Sequence, residues 1–155
     1  MERKQMPTIP LIDEVRRIIA GGQKVMLPVN GVSMQPFIVG GRDSVELCAV
    51  GTDELRIGDV LLAMTDRGCY VVHRLVAIDG DRLTLEGDGN LNLREVCASA
   101  DVVARAEWVS DNGGHRRRLR GRRAMMEWRV WAALRPLRRW LLLAYRLLHG
   151  GSVGR

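Results

Sequence analysis

Ser33 stands in the segment Gly31-Val32-Ser33-Met34-Gln35-Pro36-Phe37, where a glycine permits a sharp turn and a proline restricts the residue before it. Such a turn can hold a hydroxyl outward and leave nearby backbone N–H groups free to meet an oxyanion. A hydroxyl is a weak nucleophile at neutral pH and needs a base. Forty residues on, His73 lies in Cys69-Tyr70-Val71-Val72-His73-Arg74-Leu75-Val76. A neutral imidazole, titrating near ~6.5 when free, is suited to take a serine proton. Each residue also has a plain reading: Ser33 as an ordinary turn serine, His73 as a hydrogen-bonded core histidine. Other bases are scarce, since the chain holds only Lys4 and Lys24 and two further histidines, His115 and His149.

The elements that must position these residues read mainly as β. Leu11, Ile12, Val15, Ile18 and Ile19 recur at helical spacing in residues 10–20, and Gly21-Gly22 ends that pattern. From Lys24 the period becomes that of strands, with apolar runs at 25–29, 44–49, 59–64, 69–78, 82–85 and 101–109 separated by turn signals. Six short strands without intervening helices predict an antiparallel sheet or barrel. Asp79-Gly80-Asp81 marks the clearest hairpin. Alternation along 70–77 puts Val71, His73, Leu75 and Ala77 on one face and Tyr70, Val72, Arg74 and Val76 on the other.

At 155 residues the chain is long enough for one domain with an appendage and too short for two enzymes. Cys48, Cys69 and Cys97 have no CxxC spacing, so they signal neither a disulfide framework nor a zinc site and read as small core residues. No cofactor or metal is expected. The charge is divided: residues 1–114 carry 12 basic and 17 acidic side chains, while residues 115–155 carry 12 arginines and the single acid Glu127. A mildly acidic body thus bears a strongly basic tail, which seeks phosphate or anionic lipid.

The ordered segments Gly31-Val32-Ser33-Met34-Gln35-Pro36, Leu55-Arg56-Ile57-Gly58-Asp59-Val60, Val72-His73-Arg74-Leu75, Glu86-Gly87-Asp88-Gly89-Asn90 and Asp101-Val102-Val103-Ala104-Arg105-Ala106 resemble the boxes of the signal peptidase I and SOS-repressor peptidase superfamily. The resemblance covers residues 24–109. It implies a coiled antiparallel β-domain of signal-peptidase-like type at 24–110, preceded by a short N-terminal helix and lead-in at 1–23 and followed by a basic helical tail at 111–155. It further implies a serine endopeptidase acting on a peptide or protein precursor, with Ser33 as nucleophile and His73 as general base. In that superfamily the third box carries lysine in the usual bacterial members and histidine in the archaeal and endoplasmic-reticulum type, and here it carries His73. Asp88 is implied as the acid near the imidazole, with Glu95 the other acid within reach of that role and a plain turn aspartate the alternative for Asp88. Asp59 opens a strand and is left outside the site. Several signal peptidases have a serine two positions before the nucleophile, whereas Gly31 leaves oxyanion stabilisation to the backbone. The whole chain is also similar to a compact bacterial histidine-type group with an arginine- and tryptophan-rich C-terminal helix.

Two other function classes fit less of the sequence. A non-catalytic module of the same fold would bind an extended peptide by strand addition. A self-cleaving DNA-binding repressor would need a recognition domain, for which 23 residues before the first strand leave no room.

Residues 1–9 lack the apolar core of a secretory signal, and no window reaches the ~18 apolar residues of a membrane span. The sequence therefore predicts a cytoplasmic chain. For the tail, Pro136 is expected to break one helix or begin a second. A helical wheel gathers Arg135, Arg138, Arg139 and Arg146 on one side, with Trp140, Leu141, Leu143, Ala144, Leu147 and Leu148 over much of the rest. Two destinations remain for the apolar part: packing on the β-domain, or peripheral association of residues 115–148 with an anionic inner membrane face. The arginines favour the membrane, and no nucleic acid is expected.

Overall fold

The computed structural model describes residues 9–149, and the stretch 1–9 read above for a secretory signal lies almost wholly outside them. Helix α1, Ile9–Ala20, buries Ile12, Val15 and Ile19 along one face, as their spacing dictates. It ends in paired bonds from Gly22 N–H to the Ile19 carbonyl and from Gln23 N–H to the Ile18 carbonyl, with Gly22 at φ +80°. That cap satisfies the last carbonyls at a backbone angle that suits glycine.

Eight strands follow among the described residues: β1 Val25–Pro28, β2 Ser44–Cys48, β3 Val60–Met64, β4 Tyr70–Asp79, β5 Arg82–Glu86, β6 Arg94–Ala98, β7 Val102–Ser110 and β8 Arg116–Arg118. They form one antiparallel sheet in the order β1-β2-β7-β3-β4-β5-β6, with β8 paired to β7. The molecule is mainly antiparallel β with helices at both ends, as the alternation predicts. Two strands escaped the apolar pattern for identifiable reasons. In β6 a charged residue, Glu95, occupies a buried position, and β8 is three exposed arginines, held by pairing with β7 and by contacts of Arg116 with Glu46 and of Arg117 with the Phe37 carbonyl. The segment after residue 110 is thus part sheet rather than wholly helical.

Strand β3 is buried on both faces, which divides the interior in two. Val60 and Leu62 join Ile12, Met34, Ile38 and Val45 in the first core, while Leu61 and Ala63 join Leu75, Leu83, Leu85 and Cys97 in the second. Register shifts at Glu46/Leu47, Leu62/Ala63 and Leu75/Ala77 let the sheet coil enough to close around both cores.

The tail forms α2, Arg122–Ala133, a 3-10 turn at Arg135–Leu137 containing Pro136, and α3, Arg138–His149. Trp131 is buried, and its indole N–H donates to the Asp88 carbonyl oxygen at 2.9 Å. Glu86 on β5 accepts from Arg94 at 2.8 Å, Arg135 at 3.0 Å and Arg138 at 2.7 Å. Packing on the β-domain and arginine content are therefore connected: arginines themselves dock the tail. Burial pushes the Glu86 carboxyl up, but the hydrogen bonds from Arg138, Arg94 and Arg135 outweigh it and hold the group below its ordinary 4.5. A carboxylate whose pKa is depressed on folding stabilises above its unfolded-state pKa and loses that contribution as pH falls through the folded value. Acid titration below pH 4.5 is accordingly expected to release the tail, seen as a change in fluorescence from Trp128 and Trp131. In Glu86→Gln that acid-induced step should be absent.

Candidate active site

The chain leaves β1 into a compact turn. Gln35 N–H donates to the Val32 carbonyl at 3.2 Å, and Phe37 and Ile38 N–H donate to the Met34 carbonyl at 3.1 and 3.0 Å. Met34 and Ile38 are buried in the first core and anchor the turn from within, which leaves Ser33 half-buried at its outer side. Gly31, at φ +86°, supplies the backbone angle that begins the turn. Among the described residues the Ser33 and Met34 N–H groups have no acceptor. They are the backbone donors that an oxyanion beside Ser33 Oγ could use.

His73, 6% exposed, lies on β4 on the face that packs into the second core beside Val71 and Leu75. Its Nε2 is 3.1 Å from Ser33 Oγ. On the other side of the ring, Nδ1 is 2.9 Å from Glu95 Oε2. Register explains the second contact. Leu75 pairs with Leu85 and Leu85 with Glu95, so the three share a face across β4, β5 and β6. His73 lies two residues before Leu75 on that same face, within reach of the carboxylate. A carboxylate accepting from Nδ1–H places the remaining lone pair on Nε2, aimed at the serine hydroxyl. The three side chains form a hydroxyl, imidazole and carboxylate series of the kind that activates a nucleophile.

Asp88 does not stand beside the imidazole, contrary to what the resemblance implies, but pairs with Arg74. Its carboxylate accepts from Arg74 Nε at 3.2 Å and Nη2 at 2.6 Å, and both residues are 3% exposed. Arg74 adjoins His73 in β4 and therefore points to the opposite face, toward Phe37 and Trp128, whose rings lie 5.4 and 5.7 Å from its guanidinium. Asp88 pairs with that side of the strand. The acid that faces the ring is Glu95, buried on β6, in a strand the apolar runs did not reveal. Its sequence signal was the alternation Glu95-Val96-Cys97, an acid in phase with a residue of the second core.

Although the Asp88 side chain turns away, its loop touches the serine turn. Gly89 N–H donates to the Ser33 carbonyl at 2.8 Å, and a Cβ added at Gly89 would stand 2.6 Å from the Val32 carbonyl oxygen. A Cβ at Gly87 would strike the Ser33 carbonyl oxygen itself. Glycine at 87 and 89 is thus required by close backbone approach. From the other side the loop is held by Trp131 and, through the Asn90 carbonyl, by Arg138 at 3.4 Å. The tail therefore braces the loop that braces Ser33.

Asp59 and Cys97 take no part in this series. Asp59 is buried, accepts from Arg56 N–H at 2.9 Å, and lies 3.6 Å from Arg105. Cys97 is buried, and burial first, with Asp101 and Asp66 adding to it, pushes its thiol up to about 11. Among the described residues no group of three or more His, Cys, Asp or Glu is placed to hold a metal ion. No helix among them is long and apolar enough to cross a membrane. Comparison with protein-family models, with curated proteins and with solved structures finds no match to this chain.

Proposed function

We propose that the chain is a serine endopeptidase of signal-peptidase-like type in which Ser33, His73 and Glu95 act as one unit on a peptide or protein substrate. The observation that carries this reading is the continuous series from Ser33 Oγ through the His73 ring to Glu95, at 3.1 and 2.9 Å, with the histidine and the acid both buried. The ordered boxes that resemble the signal peptidase I and SOS-repressor peptidase superfamily support the same reading, and His73 in the third box supports a histidine-type member.

In the reaction, Ser33 Oγ attacks the carbonyl carbon of the scissile peptide as its proton passes to His73 Nε2. Negative charge that collects on the substrate oxygen is met by the unengaged backbone N–H groups of the serine turn. As the carbon–nitrogen bond breaks, His73 gives its proton to the leaving amine, and the acyl group stays on Ser33 as an ester. Water then attacks that ester, losing a proton to Nε2, which is returned to Oγ as the acid product departs. Throughout, Glu95 holds the ring in the required tautomer and faces the positive charge of the imidazolium.

A serine-directed acylating probe such as a fluorophosphonate tests the proposal directly. The expected result is a single adduct on Ser33, located by mass spectrometry of the digested protein and absent from Ser33→Ala. A wild-type protein that stays unlabelled while still binding extended peptides would instead be a binding module of this fold.

A further inference from the structure

Helix α3 is attached to the domain by the side where a charge stands and exposes the side where none does. Arg138 and Leu142 are buried on its inner face, whereas Trp140, Leu143, Leu147 and Leu148 are 64%, 50%, 76% and 81% exposed. At 100° per residue, Leu143, Leu147, Trp140, Ala144, Leu148 and Leu141 fill a continuous outward arc of about 160° with no charged or polar residue in it. Arg139 and Arg146 border the arc on one edge. Surface helices of globular domains turn such an arc inward, so this one is presented to something outside the described chain.

The charges of the tail, of which Arg139 and Arg146 border the arc, indicate what. Arg118, Arg122, Arg129, Arg139 and Arg146 make no ion pair among the described residues, and the one acid of the tail, Glu127, is paired with Arg123. A second copy of this face would bring like charges together. A nucleic acid would use the arginines but leave the leucines and Trp140 in water. An anionic bilayer surface uses both: head groups meet the guanidinium groups, and the apolar arc sinks into the acyl boundary. Twelve residues of helix are about 18 Å long, short of the ~30 Å hydrocarbon core but suited to lying in its plane.

We infer that α3 is a docking helix for an anionic membrane surface, already ordered by its anchorage through Arg138 and Leu142 and presenting a fixed apolar face bordered by Arg139 and Arg146. This inference is independent of the chemistry at Ser33. Because the helix is held by the domain before it meets lipid, docking brings the whole β-domain to the surface in one orientation.

The test is flotation of the full chain with vesicles of phosphatidylcholine alone and of phosphatidylcholine with one-third phosphatidylglycerol. Binding is expected only to the anionic vesicles and should weaken as salt is raised. The double variant Leu143→Glu, Leu147→Glu changes two exposed positions, so near-ultraviolet circular dichroism should stay that of wild type while vesicle binding falls by more than about tenfold. Arg139→Gln with Arg146→Gln, which leaves the apolar arc untouched, should reduce the preference for anionic over neutral vesicles. Failure to float with either vesicle would overturn the inference, as would undiminished binding by the double glutamate variant. Light scattering that shows a dimer, dissolved by Leu147→Glu in a protein that binds no vesicle, would assign the face to a second copy and overturn it equally.

Discussion

Replacing Glu95 by glutamine is expected to lower kcat by about ten-thousandfold, and replacing His73 by alanine to lower it by about a millionfold, with KM for a peptide substrate little changed in either case. The reason for the first lies in the tautomer. Glutamine is the same size as glutamate and can turn its amide N–H toward His73 Nδ1, which then must accept, so the ring proton moves to Nε2. That nitrogen faces Ser33 Oγ at 3.1 Å and can no longer take the serine proton. Peptide kinetics on the purified variants check this, with near-ultraviolet circular dichroism on the same preparations, because a merely structural role would lower apparent kcat only in proportion to the folded protein lost, whereas a tautomer effect lowers it in a fully folded variant. Glu95→Asp, which keeps the charge on a shorter arm, should retain more activity than Glu95→Gln. Equal activity of Glu95→Gln and wild type would remove Glu95 from the mechanism.

The acid at residue 88 should behave in the opposite way. Asp88→Ala leaves the Arg74 guanidinium, 3% exposed, without its carboxylate partner, and removing one member of a buried ion pair costs about 3–5 kcal/mol. For a chain of this length that corresponds to a fall in Tm of about 10 °C, read by circular dichroism. Replacing both partners with apolar residues, Arg74→Met with Asp88→Leu, should cost less than Asp88→Ala alone, since no charge is then left buried without a partner. At temperatures well below its midpoint, Asp88→Ala should keep more of its kcat than Glu95→Gln does. A variant with unchanged Tm would show that the Arg74–Asp88 pair contributes nothing net to the fold.

These two carboxylates mark the border between what can be read along a chain and what cannot. The antiparallel β architecture, helix α1 with Ile12, Val15 and Ile19 inward, and the division into an acidic body and a basic tail all follow from local periodicity and composition. So does the face on which His73 sits, because alternation along one strand is a property of adjacent residues. The partner of His73 is a different kind of fact. Asp88 and Glu95 are both near in sequence to the glycine loop, and choosing between them depends on two successive strand registers and on the shift at Leu75/Ala77. Those registers are settled by which apolar side chains fill the second core, not by anything in the segment Leu91–Glu95. The tail shows the same limit. Its arginines are evident in the sequence, but Arg135 and Arg138 were indistinguishable there from Arg139 and Arg146. Only the folded chain brings Glu86 under the first two, because it sits on β5 some fifty residues away, and in doing so turns Leu143, Leu147 and Leu148 of α3 outward.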